Sequence, residues 1–141
     1  MATGIKITGQ QQMAARLRSL GARFGSKVAG ALYRRAELVM GRSKSEFVPV
    51  DFATLKNSGT VHPPEISGGR ISVSLTYGGA ASAYALAIHE HPSGHSPPSW
   101  RGKPVVFSPA GTGPKYLERP LMEAVRTLPA DLASDLALDK V

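Results

Sequence analysis

The sequence predicts an α+β domain: a long N-terminal helix packed on a small antiparallel sheet, then a short middle helix, a long Pro/Gly loop and a C-terminal helix. Three observations predict it. Apolar residues recur at every third or fourth position across residues 10–47. Ile71, Val73 and Leu75 alternate with Ser72, Ser74 and Thr76, the period of a half-buried strand. From Tyr116 onward the apolar residues return to a helical period. At 141 residues the chain has the length of one domain, 1–141, and no internal repeat or linker divides it.

The elements follow in order. Residues 1–9 read as a flexible tail. Met13, Leu17, Leu20, Phe24, Val28, Leu32, Ala36 and Val39 then mark one face of a helix. Gly21, Gly25 and Gly30 each weaken it by roughly 1 kcal/mol relative to Ala, which makes residues 21–25 the place for a break or kink. Pro49 ends the helix, because the residue before a proline is pushed out of the α region. Residues 58–62 and 70–77 form the arms of a hairpin around Pro63-Pro64 and Gly68-Gly69. Residues 80–90 are Ala-rich, and Tyr84, Leu86 and Ile88 suit a short helix there.

Residues 91–113 form a long loop containing Pro92, Pro97, Pro98, Pro104 and Pro109, in which Val105-Val106-Phe107 reads as an edge strand. Loops this long inside a compact domain are usually functional or mobile. The last helix carries Leu117, Leu121, Ala124, Val125 and Leu128 in phase. It tolerates Pro120 only in its first turn, and it kinks or restarts at Pro129 before Leu132 and Leu136.

Charge is distributed unevenly. Residues 1–50 hold nine Lys/Arg against two Glu, a net of +7; residues 51–100 hold two against three, −1; residues 101–141 hold six against five, +1. The whole excess of the +7 chain therefore lies in its first third. Arg16, Arg23, Lys27 and Arg34, at offsets 0, 7, 11 and 18, form a basic rail beside the apolar stripe, about 27 Å long at 1.5 Å per residue. Most charged helix faces are simply solvated. No helix-turn-helix, zinc-finger or RNP-type signature accompanies these charges, so non-specific contact with duplex DNA is the most the rail supports.

The absence of cysteine removes disulfides, thiolate nucleophiles and Cys-based zinc sites together. No run approaches the ~20 apolar residues of a membrane span, and no apolar segment follows Met1, so a soluble chain without an export signal or membrane contact is expected. No Gly-x-Ser-x-Gly elbow occurs. Gly113-Pro114-Lys115 lacks the spacing and the Ser/Thr of a phosphate loop and reads as a turn before a helix. His89-Glu90-His91-Pro92-Ser93-Gly94-His95 offers imidazoles for zinc. With Ser99 it resembles part of the JAMM metallopeptidase motif, and His89, His91, Pro92 and Ser99 fit that pattern. Gly102 stands where the motif has its Asp ligand, and a helix rather than a strand is expected before His89. Trp100, in the run Pro97-Pro98-Ser99-Trp100-Arg101, is either an interface anchor together with Pro97, Pro98 and Arg101, or a cap on the domain's own core.

Four segments in order resemble the small neck, or tail-completion, proteins of long-tailed bacteriophages. Phe47-Val48-Pro49-Val50-Asp51 followed by Leu55-Lys56-Asn57-Ser58-Gly59 is similar to that family's F-V-P-V-D-T-G-x-L-R-x-S-G segment, with Phe52 and Ala53 in place of Thr-Gly. The others are Val73-Ser74-Leu75-Thr76-Tyr77-Gly78-Gly79, Tyr84-Ala85-Leu86-Ala87-Ile88-His89-Glu90, and Gly113-Pro114-Lys115-Tyr116-Leu117-Glu118-Arg119-Pro120-Leu121. They span about residues 30–125 behind an N-terminal amphipathic helix. The resemblance implies a non-enzymatic structural protein of the virion, without cofactor or metal. It would form a homo-oligomeric ring between the head-closure (connector) and the tail-terminator or tail-tube proteins, assembled in the host cytoplasm. The alternatives are a zinc peptidase using His89 and His91, and a non-specific DNA-binding protein.

Overall fold

The computed structural model describes residues 9–49, 53–91, 107 and 111–137, and the backbone of Ser99, Trp100, Lys103 and Pro104. The architecture is α+β. Helix α1 (Gln10–Arg42) has 33 residues, about 50 Å of helix. It starts behind Gly9, whose φ of 93° is left-handed. Contrary to the expected break at residues 21–25, it runs on through both glycines. A glycine costs helix propensity but keeps its N–H, so the hydrogen-bond ladder need not open as it would at a proline. The helix widens into a π-helical turn, Ser43–Phe47, and stops at Val48, which is extended (φ −76°, ψ 127°) as its place before Pro49 demands.

A short helix, α2 (Ala53–Ser58), which periodicity did not announce, seats Leu55 in the core with no exposed surface. The hairpin then forms in two pieces. Strand β1 (Thr60–Val61) pairs antiparallel with β4 (Leu75–Thr76), and β2 (Glu65–Ser67) with β3 (Arg70–Ser72). Gly68 and Gly69 turn the tip, both at positive φ (55° and 76°) as a two-residue hairpin turn requires. Val61 faces Leu75 while Glu65 faces Ser72, so three residues on one arm oppose two on the other. Pro63 and Pro64 cause this interruption, because neither has an N–H for the ladder. His62 N–H still donates to the Ser74 carbonyl, at 2.8 Å.

Beyond the hairpin, a 3-10 turn (Gly79–Ala81) leads into α3 (Ser82–His89), which buries Tyr84, Ala85 and Ile88. Leu86 instead points outward and is 71% exposed, since it lies two positions from both Tyr84 and Ile88 on a helix. In the long loop, β5 (Ser99–Trp100) pairs with β6 (Lys103–Pro104). The expected edge strand at residues 105–107 is not formed at Phe107, which is irregular in backbone and packs against the core; Val105 and Val106 lie outside the described residues.

Helix α4 (Glu118–Asp135) has 18 residues and runs antiparallel to α1, as Arg42 reaches Glu123 and Arg35 reaches Asp135. Pro120 sits in its first turn. Pro129 lies inside the helix, which continues past it rather than restarting. The carbonyl that Pro129 leaves without a helical donor is that of Val125, a half-exposed residue.

Two clusters make the core. One joins Phe47, Val48, Leu55, Ala81, Tyr84, Ala85, Ile88 and Tyr116. The other joins Ala36, Met40 and Val61. Tyr77 and Leu117 pack against both and weld them together. Among the described residues no helix is long and apolar enough to cross a membrane.

Candidate interaction surface

The two long helices differ in length, and that difference leaves a bare surface on α1. Helix α4 is about 27 Å long against the 50 Å of α1, and it pairs only with the C-terminal half of α1. The buried residues of α1 are Ala29, Ala31, Ala36, Val39 and Met40. Residues 10–27 therefore project beyond the body. Their apolar stripe is uncovered: Met13 is 60% exposed, Leu17 and Leu20 61%, and Phe24 50%. The same face continues to Ala31, which is fully buried, and to Arg35, which bonds to α4. Near Arg35 it reaches a cavity of about 90 Å³ lined by Leu32, Val39, Leu121, Val125 and Leu128. Leu38, on the same face as Leu20, is again 61% exposed, and the residues that enter the core, Ala36 and Met40, lie on another side of the helix. Burying each of these large side chains is worth about 1.5–3 kcal/mol.

The four cations of the predicted rail, Arg16, Arg23, Lys27 and Arg34, are all exposed on α1. The first three lie on the overhang, beside the apolar stripe. Arg34 lies at the α4 end, where it helps Arg35 hold the Asp135 carboxyl below the usual range. Arg18, on the other flank of the stripe, belongs with them. It does not share the spacing of the rail, because two residues turn it about 160° around the helix from Arg16. No Asp or Glu precedes Glu37, and among the described residues Arg16, Arg18, Arg23 and Lys27 have no carboxylate partner.

Pro97, Pro98 and Arg101 lie outside the described residues, and Trp100 is described only as the backbone of β5.

The histidine run begins at the end of α3. His89 is the last residue of α3, and its Nδ1 lies 2.7 Å from Oε1 of Glu90. Its ring stands edge-on to Tyr116, 4.9 Å between centroids. His91 meets the ring of Phe107 instead, and His95 lies outside the described residues. Donor atoms of His89, Glu90 and Glu118 come within 4.8 Å of one another, spacing that a metal ion could use. A cation of the chain itself already bridges the two carboxylates: Lys115 Nζ is 2.6 Å from Glu90 Oε2 and 3.0 Å from Glu118 Oε2. Lys115 holds the Glu90 carboxyl below the usual carboxylate range, with His89 adding to the effect, and its own ammonium is raised in turn. Lys115 adopts a left-handed φ of 58°, and its N–H donates to the His89 carbonyl at 2.8 Å. The cluster pins the end of α3 to the start of α4, and Gly113-Pro114-Lys115 is the turn that the sequence predicts.

No protein-family model, no curated protein and no solved structure matches the chain.

Proposed function

We propose that this chain is a structural protein of a tailed bacteriophage virion, a ring-forming neck or tail-completion component that joins the head-closure (connector) ring to the tail-terminator or tail-tube proteins. The observation that carries this reading is the 18-residue overhang of α1 with its apolar stripe uncovered, a surface suited to assembly. The four family-like segments support it from another side, because their residues meet in the core. Phe47, Val48 and Leu55 come from the first, Tyr77 from the second, Tyr84, Ala85 and Ile88 from the third, and Tyr116 and Leu117 from the fourth. Backbone bonds tie them in the same way: Gly113 N–H donates to the Phe47 carbonyl and Lys115 N–H to that of His89. A likeness made of packing residues speaks for a shared scaffold rather than shared chemistry.

Subunits of such a ring make head-to-tail contacts that close by rotation. The basic rail then meets an acidic neighbour or the path of the passing DNA. Quantitative mass spectrometry of purified particles of the encoding phage tests the reading. On the order of six to twelve copies per particle is the expected result for one closed ring. Hundreds of copies would mean a coat or tube subunit, and complete absence would overturn the structural role.

A further inference from the structure

We infer that the overhanging half of α1 docks against an acidic helix of a partner protein, one that carries an apolar heptad seam rimmed by carboxylates. The inference rests on the assembly reading above and names the chemistry of the neighbour.

Spacing gives the first argument. Met13, Leu17, Leu20 and Phe24 follow steps of four, three and four, the a/d pattern of a coiled-coil seam. At about 100° per residue they fall within a sector roughly 60° wide. A bilayer-bound or core-facing helix presents a broader apolar face, at least about 100°, whereas a narrow seam fits one other helix. The seam closes at Lys27, which takes the next d position.

Charge gives the second. With Leu17 and Phe24 at a, the g positions are Arg16 and Arg23, and the e positions are Ala14, Gly21 and Val28. Charges at e and g choose the partner in such pairings. A second copy is a poor match. Antiparallel pairing sets Arg16 and Arg23 against their own counterparts, and parallel pairing meets them with Gly21 and Val28. Neither arrangement supplies a carboxylate, because no acid precedes Glu37. Duplex DNA would satisfy the cations and leave the four apolar side chains in water. An acidic helix with an apolar seam satisfies both sets at once.

The test is an NMR titration of the full chain with two synthetic four-heptad helices. Both carry Leu at a and d; one has Glu at e and g, the other Lys. The Glu helix should perturb residues 10–27 and bind about tenfold more tightly than the Lys helix, which is the discrimination two or more charge pairs can provide. The double variant R16E/R23E should reverse that preference. The double variant L17S/L20S should lose binding to both helices while its melting temperature stays unchanged. Four results would overturn the inference: no binding of the Glu helix; equal binding of both helices; seam-dependent dimerisation in sedimentation equilibrium without any peptide; or seam-dependent binding to phosphatidylglycerol vesicles. Particle copy number is independent of all four, so a failure here and a failure of the neck reading are separable.

Discussion

Ser43 donates its hydroxyl hydrogen to the backbone carbonyl of Tyr116 at 2.7 Å, across 73 residues of chain, from a fully buried position. That bond assigns the next one. Ser43 has a single hydrogen, and a carbonyl can only accept, so the 2.8 Å contact between Ser43 Oγ and the Tyr77 hydroxyl has Tyr77 as its donor. The result is a short chain, Tyr77 to Ser43 to the Tyr116 carbonyl, at the point where α1 widens into its π turn. The Tyr116 hydroxyl in turn donates to the Ala85 carbonyl at 2.9 Å. Replacing Ser43 by Ala leaves a buried carbonyl and a half-buried phenol short of partners and should cost about 1–3 kcal/mol. Urea unfolding of S43A against Y77F checks it. Y77F should lose less, because the carbonyl keeps its donor.

Gly59 stands where steric contacts leave no room for a side chain. A Cβ added there would stand 2.6 Å from Lys44 Cε, 2.7 Å from Met40 Sδ and 2.8 Å from Tyr77 Cε1. The Lys and Met ends can swing away, but the Tyr77 ring is held by Ser43 and by its edge-on contact with Tyr116, 5.0 Å between centroids. G59A should therefore destabilise by about 1–3 kcal/mol, the usual cost of overpacking. A thermal melt reads this directly. G78A, where a Cβ would meet nothing within 4 Å, is the contrast.

The apolar stripe of the overhang should be silent in folding. Leu17→Ser or Leu20→Ser alters stability by no more than about 0.5 kcal/mol, as exposed positions do. Leu55→Ala or Ile88→Ala, both essentially without exposed surface, should cost about 2–5 kcal/mol. Chemical denaturation of the four single variants separates the two groups. A large loss at Leu17 would mean that the overhang is packed in solution.

Acid should loosen the α1–α4 junction. Arg35 grips Asp135 with two parallel bonds, 2.8 Å from Nε and 2.7 Å from Nη2, and holds its carboxyl below the ordinary value of 3.8. A folded-state pKa below the unfolded one stabilises fully above the unfolded value, and that gain is lost as pH falls through the folded one. Glu90, lowered by Lys115, acts in the same sense. The melting temperature should be level above about pH 5 and fall on acidification below about pH 4. D135N should melt lower than the parent at neutral pH and converge with it in acid. A constant gap between the two at every pH would count against the ion pair.

The basic rail, which shares Arg16, Arg23 and Lys27 with the seam and its rim, has a test of its proposed role in the virion. Replacing Arg16, Arg23, Lys27 and Arg34 by Gln should reduce the joining of heads to tails while circular dichroism stays unchanged. Arg34 is expected to contribute least, since it lies by α4 rather than on the overhang. Unchanged phage titre would sink the proposed role of the rail.

Much of the scaffold was legible because it rests on local rules. The period of α1, the stop at Val48-Pro49, the Gly68-Gly69 tip and the alternation from Ile71 to Leu75 are dictated by neighbours a few positions away. What escaped the sequence has identifiable causes. Helix α2 is only six residues long, too short to show a period, and it exists because Leu55 has a core to enter. Leu86 read as part of the helix pattern, yet which side of α3 faces inward is settled by Tyr116 and Phe47 from distant parts of the chain. The candidate surface divides in the same way, since the basic and apolar rows of residues 10–27 could be read directly.

By itself the sequence determined that a long amphipathic helix carries most of the excess positive charge, and that a hairpin and a second helix follow it. Only the tertiary structure decided where that helix is covered. The apolar stripe is chemically similar from Met13 to Val39, and nothing local distinguishes a half that will be buried from a half that will not. The difference arises because α4 has 18 residues against 33 in α1, and its ion pairs at Glu123 and Asp135 anchor it to the far end. Burial depends on which surfaces the rest of the chain can bring within reach, and here α4 ends before the stripe does.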